Sequence, residues 1–199
     1  IQSLPRELSL PADGILRIRP LDELKSLRYD HVCLQDIKIA KPSAEIRAHG
    51  GPVGIKLADL DGYSYEIKIT VDRKEAERKL FGFTLFSDGK EQGLPFIFRP
   101  ETGTVRLGNK EAPFDLTHLP EHKDIEITIF VDKYVVEVFV NNRQALITSY
   151  SKYYEHGNIH GFTIGAPTVI KQIDLWKLRP TNQGYIEAQA NPVWTPAIK

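Results

Sequence analysis

Three consecutive β-rich runs between residues 125 and 150 constrain the fold of this chain more than any other part of its sequence. In the first two runs, a β-branched apolar residue recurs at every second position, from Ile125 to Val131 and from Val136 to Val140. Such alternation is typical of half-buried strands. The polar breaks Asp132–Lys133 and Asn141–Asn142 suit tight turns, because Asp and Asn tolerate left-handed backbone conformations. The sequence therefore predicts a three-stranded antiparallel meander at the centre of a sheet.

The rest of the chain continues the same pattern. Roughly a dozen short strands, separated by Gly, Pro and Asp, predict an all-β fold with two stacked antiparallel sheets. One short N-terminal helix is predicted where Leu21, Leu24 and Leu27 recur at helical spacing. No fixed-period repeat indicates a propeller or a solenoid. We therefore predict a two-sheet antiparallel β-sandwich over residues 1–180 and an extended C-terminal tail over residues 181–199.

Length and charge restrict the possible partners. The 199 residues suit one domain with a sizeable core. The 26 basic and 26 acidic side chains cancel, which does not favour nucleic acid or an anionic membrane surface. No apolar run approaches the ~20 residues of a membrane-spanning helix. Because the chain begins with Ile1 and contains no methionine, we interpret Ile1 as a processing or truncation boundary.

Several sequence motifs together resemble a known family. The run Val136–Asn141 reads Val-Glu-Val-Phe-Val-Asn, and the run Leu4–Leu10 reads Leu-Pro-Arg-Glu-Leu-Ser-Leu. With the weaker Phe81–Phe83 match, they resemble the C-terminal β-sandwich of glycoside hydrolase family 32, which contains invertases, levanases and inulinases. The resemblance covers residues 4 to about 178 and implies a concanavalin-like jelly roll. It also implies that residues 1–10 form the linker and first strand leading out of a catalytic propeller.

The catalytic residues of that family are missing from this sequence. Glycoside hydrolysis generally uses two carboxyl groups that flank the scissile bond. The resemblance implies that these groups belong to the propeller, in Asn-Asp-Pro-Asn, Arg-Asp-Pro and Glu-Cys motifs. No aspartate of this chain is followed by proline, and the single cysteine, Cys33, follows Val32. We therefore assign no catalytic residue and expect no cofactor.

Four further features are interpreted as structural. Glu66 and Glu137 lie in the middle of predicted strands and are expected to point outward into solvent. Cys33 lies in an apolar run and is expected to be a small buried side chain. The charged run from Arg73 to Lys79 is interpreted as a solvated connection with balanced charge.

Two histidine pairs have the four-residue spacing of zinc ligands on one face of a helix. A proline separates His118 from His122, and a glycine separates His156 from His160. Neither stretch favours a helix, so no metal site is predicted.

Aromatic side chains provide the candidate binding residues. Sugar rings present apolar faces that stack on Tyr and Trp, while nearby polar groups fix their orientation. The candidate carbohydrate contacts are Tyr150, Tyr153, Tyr154, His156 and Trp194. Alternatively, the same side chains pack the ends of the sandwich or an interdomain contact, where Tyr and Trp are also enriched.

The leading functional hypothesis is a non-catalytic module that supports the propeller of a β-fructosidase, with an oligomer contact or an outer sugar subsite as further roles. The resemblance implies a parent that hydrolyses terminal β-D-fructofuranosides in sucrose, levan or inulin, and it is compatible with a secreted or periplasmic parent. The expected partners are the propeller, a fructan or other carbohydrate, and a second copy of the chain. The alternatives are a free-standing, lectin-like carbohydrate-binding domain and an independent enzyme with a carboxylate pair in a groove.

Overall fold

Two antiparallel sheets of six strands each, and a separate two-stranded hairpin, make up the described part of the chain. The structure is a computed structural model that describes residues 3–39, 54–77, 79–87, 93–149, 156–181 and residue 190. The predicted all-β sandwich is confirmed.

The strands and helices have the following bounds. The first sheet contains, in spatial order, β12 (Gln144–Ser149), β11 (Val135–Val140), β10 (Ile125–Asp132), β5 (Ser64–Val71), β14 (Thr168–Leu178) and β3 (Arg28–Ile39). The second sheet contains β4 (Ile55–Asp61), β13 (His156–Ile164), β6 (Leu80–Ser87), β7 (Leu94–Arg99), β8 (Thr104–Leu107) and β9 (Lys110–Pro113). The hairpin pairs β1 (Arg6–Ser9) with β2 (Arg17–Pro20). One α-helical turn, α1 (Arg73–Ala76), and 3-10 helices at Asp22–Leu27, Pro100–Thr102 and Leu116–His118 complete these elements.

The inner faces of the two sheets share one hydrophobic core. The first sheet contributes aliphatic side chains such as Ile67 and Ile129, which are fully buried. The second sheet contributes aromatic rings, and those of Phe81 and Phe98 stack with their centroids 5.0 Å apart. Non-directional burial of this apolar area is the main force that holds the two sheets together.

The predicted meander is confirmed as β10–β11–β12, and its predicted position in the sheet is wrong. Lys133, Asn141 and Asn142 adopt positive φ angles of 53°, 47° and 53°, as tight turns at the polar breaks require. However, β12 lies at the edge of the first sheet and β10 pairs with β5, so the meander forms one lateral half. The alternation of apolar and polar residues along a strand indicates which side chains share a face. It contains no information about which strand becomes the neighbour in the sheet.

The predicted N-terminal helix is present as the 3-10 helix Asp22–Leu27. A 3-10 helix has three residues per turn, so side chains three apart lie on the same side. Leu21, Leu24 and Leu27 have this spacing, and Leu24 is buried. The three-residue period explains why the segment reads as helical although it forms no α-helix.

Cys33 corrects one of the structural predictions, because it is exposed. Within the part of the chain that the structure describes, its strand, β3, lies at the edge of the first sheet and pairs with β14 alone. Loss of hydration on the sheet face, together with the Asp174 carboxylate beside it, raises the pKa of the Cys33 thiol. The thiol is therefore protonated at neutral pH.

The prediction that the charged run from Arg73 to Lys79 is solvated is corrected at Arg73, which is buried. Its guanidinium donates hydrogen bonds to the carbonyl oxygens of Leu119 at 2.7 Å and Leu116 at 3.0 Å, and it pairs with Glu77 at 2.6 Å. This arginine thus ties α1 to the loop that follows β9. Only part of the charged run is a solvated connection.

Candidate functional site

The outer face of the first sheet carries an unusual row of side chains. Glu137, Phe130, Glu66 and Trp176 lie side by side on β11, β10, β5 and β14, because Phe130 is the register partner of both glutamates and Trp176 is the partner of Glu66. Only 3% of Glu66 and 2% of Glu137 is exposed. An outward face that buries two carboxylates must be covered by another part of the chain.

The cover is the N-terminal segment, residues 3–27, which contains the β1–β2 hairpin and the first 3-10 helix. It forms a second, smaller hydrophobic cluster with the outer face of the sheet, which joins Leu24 to Phe130 and Phe139 and includes Leu4, Ile18, Leu21, Leu27, Ala145 and Leu178. Two backbone hydrogen bonds attach the cover to the rest of the chain, one at β2 and one at its last residue. The amide of Ile18 donates to the carbonyl of Asn142 at 2.7 Å, and the amide of Arg179 donates to the carbonyl of Leu27 at 2.9 Å.

Glu137 holds the start of the N-terminal segment. Its Oε1 accepts a hydrogen bond from the backbone amide of Leu4 at 2.6 Å, and its Oε2 accepts one from the guanidinium of Arg6. The Arg6 guanidinium also lies 5.3 Å from the centroid of the Phe139 ring. A buried carboxylate needs both a countercharge and hydrogen bonds, and the first residues of the chain supply all of them.

Glu66 has an equivalent partner in Arg28, the first residue of β3, which directly follows the N-terminal segment. Both of its oxygens accept hydrogen bonds from Arg28, one of them from Nε at 2.7 Å, which gives a bidentate pair. The Arg28 guanidinium lies 4.1 Å from the ring centroid of Trp176. Arginine is well suited to this position because its planar group both pairs with a carboxylate and stacks on an aromatic ring.

A small polar cluster continues from this pair toward the sheet edge. The ring of His31 stacks on Trp176 with centroids 4.7 Å apart, and its Nε2 lies 2.8 Å from Oδ1 of Asp174. Burial opposes the ionisation of Asp174, yet hydrogen bonds from Gln172 and His31 outweigh it and lower the pKa of this carboxyl group. The cluster therefore holds a carboxylate next to the stacked rings.

The outward, solvated positions predicted for Glu66 and Glu137 are wrong. Both side chains lie on the outer face, as the alternation predicts, but the N-terminal segment covers that face and supplies Arg6, and β3 supplies Arg28. A glutamate in the middle of an apolar strand is a signal that sequence reasoning could have used, because burying it there requires a cation. Covered and paired, neither carboxylate has access to a sugar substrate. What the arrangement can do is hold one segment against the sheet.

Of the five predicted sugar contacts, the structure describes only the backbone of His156. Tyr150, Tyr153, Tyr154 and Trp194 lie outside the described residues. His156 is the first residue of β13, and its backbone is the register partner of Asp61; its side chain is likewise outside the described part. These five residues remain a prediction.

Within the described ranges, no group of three or more His, Cys, Asp or Glu side chains could hold a metal ion. The described part of the chain also contains no helix that is long and apolar enough to cross a bilayer.

The fold defines the chain as a two-sheet antiparallel β-sandwich domain whose first sheet is covered on its outer face by the N-terminal segment. The chain belongs to the family described as glycosyl hydrolases family 32 C terminal, whose sequence profile matches residues 23–177. The matched region runs from the first 3-10 helix through β14, so it contains Arg28, Glu66, Glu137 and Trp176.

Known proteins similar to this chain are considerably longer. Raffinose invertase of Escherichia coli is 27% identical over 152 residues, which cover 74% of this chain and 28% of that protein. An exo-inulinase structure from Aspergillus awamori superposes with a TM-score of 0.67 at 13% identity, covering 90% of this chain and 36% of that one. Fructan 1-exohydrolase IIa from Cichorium intybus gives a TM-score of 0.62 at 16% identity, covering 89% and 41%. The chain thus spans between about a quarter and two fifths of these relatives.

Proposed function

We propose that the chain is the non-catalytic C-terminal module of a β-fructosidase that hydrolyses terminal β-D-fructofuranosides, such as those of sucrose, levan or inulin. The observation that carries the proposal is the match to a C-terminal family model combined with the 28% share of raffinose invertase that the chain spans. In this proposal, the bond-breaking carboxylates belong to a catalytic propeller that precedes the module. The module supports that propeller.

Exposed leucines on the hairpin support a contact with a preceding domain. Leu8, Leu10 and Leu16 are 63%, 69% and 46% exposed, and all three lie in β1 or in the loop that joins it to β2. Exposed apolar side chains grouped on one element typically mark an interaction surface. Because this element lies at the N-terminal end of the described chain, a domain that precedes it is the partner best placed to cover it.

The two buried ion pairs support a fixed orientation between the module and that domain. A linker held only by its backbone would let two domains move relative to one another. Here Glu137 holds Leu4 and Arg6, so the chain is tied to the sheet from its first described turns. In the proposed parent, the chain would pass from the propeller into the module at a defined point and in a defined direction.

Replacing Leu8 and Leu10 by glutamine in the proposed parent enzyme tests this function. Burying one leucine contributes ~1.5–3 kcal/mol. We therefore expect the double variant to lower the temperature at which half of the fructose-releasing activity is lost by about 5 °C or more. The measurement is the fructose that the enzyme releases from sucrose, raffinose, levan or inulin after it has been heated to a series of temperatures.

The matched control is Val32→Gln, because Val32 is 43% exposed on the edge strand β3, far from the hairpin. This variant should leave the inactivation temperature unchanged. Equal behaviour of the two variants would contradict the hairpin contact, and a reading frame without a catalytic domain before the chain would contradict the proposal as a whole. Analytical sedimentation tests whether a second copy of the chain, rather than a preceding domain, covers these leucines. If the wild-type parent is a dimer and the Leu8→Gln, Leu10→Gln variant is a monomer, the leucines belong to an oligomer contact.

A further inference from the structure

A pocket of about 570 Å³ opens beside the N-terminal segment. Five parts of the described chain line it: Leu4, the first 3-10 helix with the start of β3, the β4–β5 turn at Asp61–Ser64, the end of β10 with its turn at 130–133, and the end of β14 with the residues after it at 177–181. Its size lies within the range of ~300–1,000 Å³ that is typical of small-molecule sites. The lining shares Leu4, Leu24 and Leu27 with the N-terminal segment, and it contains none of the four side chains that form the two buried ion pairs.

The apolar part of the lining includes two half-exposed aromatic rings. Tyr29 is 41% exposed and Tyr63 is 47% exposed, while Leu24 and Phe130, which also line the pocket, are buried. A half-exposed tyrosine ring in a pocket that also contains apolar side chains can provide a flat surface on which a sugar ring stacks. A site of this kind favours a ligand that has both apolar faces and hydroxyl groups.

The polar part of the lining is nearly balanced in charge. The Ser64 hydroxyl donates to Oδ1 of Asp132 at 3.1 Å, and Lys177 pairs with Asp30 at 2.6 Å. The Arg179 guanidinium lies 5.2 Å from the centroid of the Tyr29 ring. The cations Lys133, Lys177 and Arg179 share the lining with the carboxylates Asp61 and Asp132, so the pocket offers no isolated positive charge for a phosphate. Carboxylates, a hydroxyl and an ammonium group together are well suited to the hydroxyls of a neutral polyol.

We propose that this pocket binds a neutral saccharide, with the Tyr63 ring as a stacking surface and Asp61 and Asp132 as acceptors of sugar hydroxyls. The proposal deepens the proposed function, on which the choice of fructose-containing sugars rests, by assigning an outer sugar subsite to the module. His156, one of the residues predicted from the sequence to contact carbohydrate, begins the strand that pairs with Asp61 at the pocket. The site proposed here does not include its side chain.

Titration of the 199-residue chain with sucrose, raffinose and short β-fructan oligosaccharides, followed by NMR chemical shifts, tests the site. We expect saturable binding with a Kd of about 1 mM for at least one of these sugars. Tyr63→Ala should weaken it at least tenfold, whereas Tyr63→Phe, which keeps the ring, should retain most of the affinity. The matched control is Tyr134→Ala, because Tyr134 is 52% exposed on the β10–β11 turn and, unlike the adjacent Lys133, does not line the pocket.

Three outcomes would overturn the proposal. These are the absence of saturable binding of any of the sugars, an equal loss of affinity in Tyr63→Ala and Tyr134→Ala, and binding of inorganic phosphate in place of sugar. Circular dichroism melting of each variant verifies that the fold is retained. The proposed function is judged separately by fructose release from the parent, so failure of the titration leaves that result intact.

Discussion

Replacing Glu137 by alanine is expected to lower the free energy of unfolding of the chain by about 3 kcal/mol. Loss of one partner of a buried ion pair typically costs ~3–5 kcal/mol, because it leaves an uncompensated charge behind. The lower end of that range applies because the Arg6 side chain is 25% exposed and can reach water. The variant also removes the acceptor of the Leu4 amide. Urea unfolding followed by tryptophan fluorescence measures the change.

The same hairpin offers a matched control. Glu7 pairs with Arg19 at 2.6 Å, but the two side chains are 44% and 41% exposed. An exposed pair of this kind contributes ~0–1 kcal/mol. Glu7→Ala should therefore have little effect, although it deletes the same chemical group from an ion pair with the same kind of partner. Equal losses in Glu7→Ala and Glu137→Ala would mean that burial of the Glu137 pair has no energetic consequence.

Replacing Gly82 by alanine is expected to cost more than about 3 kcal/mol or to prevent folding. A Cβ atom at this position would lie 2.1 Å from the carbonyl oxygen of Phe96 and 2.5 Å from Cζ of Phe162. Overpacking a core commonly costs ~1–3 kcal/mol, and it costs more when backbone must move, as the Phe96 carbonyl would have to here. This contact explains why a glycine stands between Phe81 and Phe83 in the middle of β6.

Gly103→Ala is the control for the glycine prediction. Gly103 has a φ of 62°, and a Cβ atom there would meet nothing within 4 Å. Its replacement therefore costs only the left-handed backbone strain, ~1–2 kcal/mol. Chemical denaturation of both variants distinguishes the two effects. If Gly82→Ala is no less stable than Gly103→Ala, the backbone and the Phe162 ring around Gly82 can shift at no cost in free energy, which would contradict the prediction.

Much of the fold could be predicted from the sequence, because it depends on local alternation. The meander β10–β11–β12 has strict period-two runs, and its turns contain Lys133, Asn141 and Asn142 in left-handed conformations. Strand neighbours in the sheet depend on long-range contacts that no local pattern contains. The meander was therefore recognised while its place at one side of the sheet was not.

The site was missed for the same reason. Arg6 and Glu137 are 131 positions apart in sequence, and Arg28 and Glu66 are 38 apart. Alternation places both glutamates on the outer face, but it does not reveal that the N-terminal segment covers this face. Cys33 was predicted to be buried because its apolar neighbours resemble a core strand, whereas β3 lies at the sheet edge.

Two of the motifs that carry the family resemblance meet in space. Arg6 belongs to the Leu4–Leu10 motif, and Glu137 belongs to the Val136–Asn141 motif. Their hydrogen-bonded ion pair gives a physical reason for both motifs to occur in one chain. The same pair anchors the N-terminal segment on the sheet, which is the feature that would orient a preceding catalytic domain.

Fructose release by the purified 199-residue chain, compared at equal molar concentration with the parent enzyme, tests the central claim most directly. Sucrose, raffinose, inulin and levan serve as substrates. Because the proposed parent has its catalytic carboxylates on a preceding domain, we predict that the parent releases fructose from at least one of them and that the chain alone releases none above the buffer blank. Turnover by the chain alone would contradict the account.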